Sequence, residues 1–171
     1  MSSDQQKGPV PYVPPRYILA PYLPTPHDVV DRMLRLAAVN PQDVVYDLGC
    51  GDGRIVVAAA EKYGARGVGV DIERYWIDEC EALAKQRGVE HLTTFRTQDA
   101  LSLDLTDATV VMLYLVHWST LRVQRIITQQ VKPGTRVVSQ TFEMENWPPV
   151  KTEKFNDEAG TARTIHLWIT E

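Results

Sequence analysis

Apolar positions come in blocks along this chain, and their period changes from block to block. Val29, Val30, Met33, Leu34, Leu36 and Ala37 recur at helical spacing. Thr25-Pro26-His27-Asp28 stands just before them: a residue that can cap, a proline suited to the first helical position, and an acid that completes a capping box. The pattern predicts a helix that ends near Asn40-Pro41. Val44 to Leu48 then reads as a strand, Gly53 to about Tyr63 as a helix stopped by Gly64, and Arg66 to Asp71 as a second strand. Glu73 to Gln86 carries the stripe Trp76, Ile77, Cys80, Leu83 and Ala84 and reads as a long helix stopped by Gly88. His91 to Arg96 predicts a third strand, followed by a polar loop from Gln98 with Asp104 and Asp107.

Ala108 to Leu115 is a continuous apolar run, as a central strand covered on both faces requires. Thr120 to Val131 is helical in period, with Leu121, Val123, Ile126 and Ile127 inward, and Lys132-Pro133-Gly134 ends it. Arg136 to Gln140 is a fifth strand. Two more lie near Val150 to Phe155 and over Thr164 to Ile169, joined by the turn Asn156 to Gly160. Alternating strands and helices predict an α/β fold: a mostly parallel sheet with helices on both faces, closed by a C-terminal antiparallel hairpin.

The first 26 residues differ from the rest. Seven prolines fix φ and remove donors, so extended chain is expected there. Residues 1–20 read as a proline-rich lead, disordered over its first nine or so residues, and 21–171 as one domain. Tyr12, Tyr17, Ile18, Leu19, Tyr22 and Leu23 are too apolar for a free tail, so the later part of this segment is expected to lie across the domain. A net charge of −4, with acids and bases interspersed, argues against a nucleic-acid partner. No run approaches the ~18 apolar residues of a membrane span. Cys50 and Cys80 form no C-x-x-C pair, and the four histidines have no ligand spacing, so free thiols, a cytoplasmic setting and no metal are expected. A monomer is the working expectation.

The candidate chemistry lies in Val44-Val45-Tyr46-Asp47-Leu48-Gly49-Cys50-Gly51-Asp52-Gly53-Arg54. A strand enters a glycine-rich turn and leaves as a helix, so free N–H groups point at whatever sits above. Dinucleotide turns read G-x-G-x-x-G and seat a pyrophosphate. Here the third glycine comes one residue early, and Asp47 precedes the first. A carboxylate there repels a pyrophosphate and suits a ligand that carries an ammonium and a sulfonium. A nicotinamide dinucleotide stays as the rival ligand.

This stretch resembles the opening motif of class I S-adenosylmethionine (SAM) dependent methyltransferases, and the resemblance covers Pro21 to Glu171. It implies a Rossmann-like sheet of seven strands with SAM across the strand ends. Asp71 is then expected to accept the two ribose hydroxyls, with Ile72 on one adenine face and Asp99 and Ala100 at the adenine edge. Gly49 and Gly51 would admit the amino-acid portion, and Asp47 would hold its ammonium. Asp52 reads as a helix cap.

The acceptor is read from the residues after the fourth strand. No N/D-P-P-Y/F tetrapeptide of the nucleobase-amine enzymes is there; Tyr114-Leu115-Val116-His117-Trp118 stands in its place. An apolar wall suits a lysine stem and lowers the pKa of its amine. Pro21-Tyr22-Leu23-Pro24-Thr25-Pro26, DATVVMLYL from Asp107, and KPGTRVVS from Lys132 with Thr141-Phe142-Glu143-Met144 and Trp147 look like the small archaeal-type broad-specificity protein-lysine methyltransferases. These are related to the mitochondrial enzymes that methylate lysine in one of the ATP synthase subunits. The resemblance implies site roles for Tyr22, Pro24 and Thr25, which close over the cofactor, and for Tyr114 in the pocket wall. The chain departs from that family at Asp71, where Glu is usual, and at Val116 to Thr120, which lacks the usual Asn-bearing loop. A small-molecule acceptor, or a SAM-binding module without catalysis, are the alternative readings.

Overall fold

The computed structural model describes residues 22–171; the proline-rich lead, with Tyr12 to Leu19, lies outside them. Seven strands form one sheet: β1 (Val44–Leu48), β2 (Arg66–Asp71), β3 (Thr93–Thr97), β4 (Val110–Leu113), β5 (Arg136–Gln140), β6 (Lys151–Asn156) and β7 (Ala162–Ile169). Their order is β3-β2-β1-β4-β5-β7-β6. The first five run parallel, and β7 inserts antiparallel between β5 and β6. The order reverses between β1 and β4, so the carboxyl ends of β1 and β2 open on one side of a crevice and those of β4 and β5 on the other. Such a switch point is where open α/β sheets bind ligands.

Alternation along each strand decides which layer it feeds. Val45, Val110, Met112, Val138, Ile165 and Leu167 face α1 (His27–Leu36) and α2 (Arg54–Tyr63), which bury Val29, Val30, Met33, Leu34, Ile55 and Ala59 against them. Helix α3 (Arg74–Gln86) packs on α2 through Ala84, Val57 and Ala60. The opposite face carries Tyr46, Leu48, Val68, Val70, Val111, Leu113 and Trp168 under α4 (His117–Gln130) and the short 3-10 turn Ala100–Ser102. All four residues of β4 are buried, as its apolar run requires. No helix among the described residues is long and apolar enough to cross a membrane.

Several expected details come out differently. Pro26 has ψ 148°, so it stands outside α1 as the residue before it, and only its carbonyl joins the helix by accepting Val30 N–H. Thr25 caps nothing: its hydroxyl donates to Gln140 Oε1, 3.1 Å away. Helix α1 closes at Leu36, short of Asn40-Pro41, because Ala38 turns left-handed at φ 50°. Strand β3 begins two residues late, since Leu92 is drawn under α2 and α3 with Val89 and Phe95. Helix α4 begins three residues early, and Val116 to Thr120 is its start, not a loop. The hydroxyls of Ser119 and Thr120 bond back to the Val116 carbonyl and help to close this first turn, which has no conventional cap.

Candidate functional site

The loop from Leu48 to Arg54 is fixed from three sides. Gly49 and Cys50 both donate N–H to the Val70 carbonyl, at 3.0 and 2.9 Å, so the loop is tied to the end of β2. The Gly51 N–H donates to Asp71 Oδ2 at 3.1 Å, while Asp71 Oδ1 accepts the Glu73 N–H at 3.0 Å. From beneath, the Cys80 thiol donates to the Gly51 carbonyl at 3.0 Å. Cys50 and Cys80 are free thiols with sulfurs 3.8 Å apart. Gly51 and Gly53 sit at φ 52° and 80°, where side chains other than glycine's are strained.

Tyr22 closes the loop from above. Its ring lies on Gly51 so closely that a Cβ there would meet Tyr22 Cε2 at 2.8 Å, and it stacks on Trp76 with centroids 3.9 Å apart. Its hydroxyl donates to Asp52 Oδ2 at 3.3 Å. Arg54 braces the same carboxylate at 2.7 Å through Nη2 and reaches the Thr25 carbonyl at 3.0 Å through Nη1. Burial pushes Asp52 up, but the Arg54 guanidinium outweighs it and holds the carboxyl below its usual range. Burial, and then Asp52, raises the Tyr22 phenol.

Under this cover lies a cavity of about 250 Å³, at the carboxyl ends of β1, β2 and β4. Among the described residues, four carboxylates, Asp47, Asp52, Asp71 and Glu73, border it against a single guanidinium, Arg54. Asp47 is 3% exposed, and its pKa is pushed up to about 7 by burial, then by Asp71 and Asp52. The cavity is thus built for a ligand that brings positive charge.

The ANTKMT methyltransferase domain family matches residues 47–151. A protein-lysine N-methyltransferase of Saccharolobus islandicus (strain REY15A) is 38% identical over 150 residues, covering 87% of this chain and 92% of that protein. The chain belongs to this methyltransferase family. A lysine N-methyltransferase of the ATP synthase C subunit, from Xenopus laevis, is 28% identical over 141 residues, which cover 81% of this chain and 62% of that longer protein. The crystal structure of an RNA methyltransferase from Salinibacter ruber in complex with S-adenosyl-L-homocysteine is 45% identical. It covers 86% of this chain and 93% of its own, with a TM-score of 0.81. The chain is a SAM-dependent methyltransferase with the fold of that class.

In this methyltransferase, Tyr22, Pro24, Thr25, Asp47, Gly49, Gly51, Asp71, Ile72, Ala100 and Tyr114 all line the one cavity. Asp99 does not: it is exposed and accepts the Leu101 N–H at 2.9 Å as the cap of the 3-10 turn, and Gln98 lines the cavity beside Ala100. Asp52 is not the cap expected of it: Gly53 takes that position in left-handed backbone, and Asp52, one residue earlier, accepts the Arg54 N–H, anchors Tyr22 and borders the cavity. Spacing puts Trp76 in the inward stripe of its helix; it forms cavity wall instead, because the first turn of α3 stands level with the strand ends. Arg54 and Leu115 also line the cavity, and the sequence pattern alone does not single them out. The signal for Arg54 is its place directly after the third glycine.

Asp47 makes stability depend on pH. A carboxyl whose pKa is higher in the folded than in the unfolded protein binds its proton more tightly when folded. Its contribution is unfavourable once ionised, growing as pH rises from about 4 to about 7. Asp47→Asn is expected to leave the melting temperature of the unliganded protein unchanged near pH 4 and to raise it at pH 8. Differential scanning fluorimetry across that range checks this.

Proposed function

We propose that this enzyme transfers the methyl group of SAM to lysine side chains of a protein substrate. The acidic cavity under an aromatic strap is the observation that carries the reading, with four carboxylates against one cation. It attracts a basic acceptor, and the apolar Tyr22, Leu23, Tyr114 and Leu115 suit the alkyl stem of lysine. The Saccharolobus and Xenopus relatives, named as lysine methyltransferases, support the same acceptor.

SAM supplies a methyl group already activated on a positive sulfur. The chain's task is to hold, align and dry the reactants. Asp47 would hold the ammonium of the cofactor's amino-acid end, and the backbone of Gly49 and Gly51 would admit that end. Asp71 would take the ribose hydroxyls with the lone pairs its backbone bonds leave free. Ile72 and Ala100 would flank the adenine, with Gln98 rather than the exposed Asp99 at its edge, and Pro24 and Thr25 would close over the cofactor. Tyr22 and Tyr114 would wall the channel that presents the lysine amine, its proton already given up to solvent water, in line with the methyl group.

Tyr22→Ala is expected to lower kcat about tenfold or more with a smaller change in cofactor Kd, since the ring orients rather than charges the site. Single-turnover rates beside calorimetry check it, and a loss confined to Kd would leave Tyr22 a lid alone.

A second reading, methylation of RNA, has the Salinibacter relative, described as an RNA methyltransferase, in its favour. The charge distribution opposes it. Arg66, Arg96 and Lys132 line a separate groove towards the amino ends of the strands, away from the cavity, while carboxylates border the cavity itself. Tritium-labelled SAM with cell extract separates the readings. Label that protease removes and ribonuclease spares supports lysine transfer; ribonuclease-sensitive label supports RNA, and label only in the small-molecule filtrate supports a small acceptor.

A further inference from the structure

Gln140, the last residue of β5, is fully buried. Its Oε1 accepts the Thr25 hydroxyl at 3.1 Å, but its Nε2 has no partner, alone among the buried side-chain polar atoms of the described residues. Turning the amide over keeps the bond to Thr25, because a hydroxyl donates or accepts equally well. A leucine would remove the orphaned amide nitrogen, but it would also leave the buried Thr25 hydroxyl without its acceptor. The next residue adds a second local cost. Thr141 sits at φ 75°, closed by a bond from Phe142 N–H to the Gln140 carbonyl at 3.0 Å. That is a γ-turn, strained for a β-branched residue. Two unfavourable features at one point call for a role that stability does not supply.

The role comes from the groups that Thr25 holds. Its carbonyl takes Arg54 Nη1 at 3.0 Å, Arg54 holds Asp52, and Asp52 holds the Tyr22 hydroxyl. The strap from Tyr22 to Thr25 is therefore pinned at one end on the glycine loop and at the other on β5. Gln140 also stands level with Tyr114, one step past the pairing of Leu113 with Ser139, so the second pin is on the side opposite Asp71.

We propose that Gln140 is a positioning residue: its amide fixes Thr25, and through it the strap, in the closed position over the glycine loop, at the expense of the unliganded fold. This rests on the methyltransferase reading and goes beyond it by assigning a residue that does not line the cavity.

The test is Gln140→Leu in the full chain, read by calorimetry with S-adenosylhomocysteine and by the melting temperature without ligand. The Kd is expected to rise about five- to tenfold, the worth of one buried hydrogen bond, while the melting temperature stays close to that of the wild type, because the orphaned amide is exchanged for an orphaned Thr25 hydroxyl. Thr25→Val should give the same rise, and the double variant should bind no worse than either single variant, because one interaction is removed in each. A merely structural glutamine would show a lower melting temperature with unchanged affinity, and that result overturns the proposal; so does additivity of the two substitutions. Should the leucine variant not fold, Gln140→Met, which keeps the chain length, carries the same comparison. Wild-type protein that binds no S-adenosylhomocysteine would sink the methyltransferase reading itself, whereas tight binding unaffected by the substitution sinks only the role of Gln140.

Discussion

Asp71→Ala is expected to abolish measurable cofactor binding. The carboxylate has two tasks at once. Its oxygens accept the N–H groups of Gly51 and Glu73 at 3.1 and 3.0 Å, which ties the glycine loop to the β2–α3 turn. Each oxygen keeps a further lone pair, and the residue borders the cavity, so that two ribose hydroxyls are the contacts proposed for it. Hydrogen bonds to a charged group are worth about 1.5–3 kcal/mol each. Losing two ribose contacts therefore costs at least about 100-fold in affinity before any loosening of the loop is counted. Asp71→Asn, which keeps one acceptor oxygen, should fall between. Calorimetry with S-adenosylhomocysteine measures both, and an Asp71→Ala protein with wild-type affinity would discredit the whole assignment of the cavity.

The second large effect is expected at Gly53, and it falls on the fold. Gly53 sits at φ 80°, and a Cβ there would lie 2.8 Å from Cys80 Sγ and 3.1 Å from Phe95 Cε1. Left-handed backbone costs an L-residue about 1–2 kcal/mol, and overpacking a filled interior adds about 1–3 kcal/mol. Cys80 is fully buried and its thiol is committed to the Gly51 carbonyl, so it has little room to yield. Gly53→Ala should therefore lower the melting temperature by roughly 5–15 °C. Gly160→Ala is the matched control. It has φ 83° but nothing within 4 Å of the added carbon, so only the backbone cost applies. Equal losses at the two positions would show that packing under the loop contributes nothing.

The sheet is readable from the chain because its strands differ sharply in period from its helices. The run at β4 and the glycine and proline stops bound most elements to within two or three residues. The cavity is readable for a related reason: Asp47 and Asp71 stand at strand ends, Gly49 and Gly51 in the loop that follows one of them, and strand ends converge in a parallel sheet. The hidden part depends on contacts between distant parts of the chain. Thr25 looks like a helix cap from its neighbours, but a buried amide 115 positions away claims its hydroxyl. Trp76 has the spacing of a core residue, but the ring of Tyr22 meets it above the loop. Gln140 carries no local signal, since only the folded protein reveals that one of its polar atoms is left without a partner. Helix α4 begins early because hydroxyls at its third and fourth residues bond to a carbonyl that no conventional cap announces.

A crystal structure of the S-adenosylhomocysteine complex tests the central claim most directly. Density for the ribose on Asp71, the amino-acid end beside Asp47 and Gly49, and the sulfur facing a channel between Tyr22 and Tyr114 is the predicted result. A ligand bound elsewhere, or one in this cavity whose sulfur points away from both tyrosines into the protein, would contradict it.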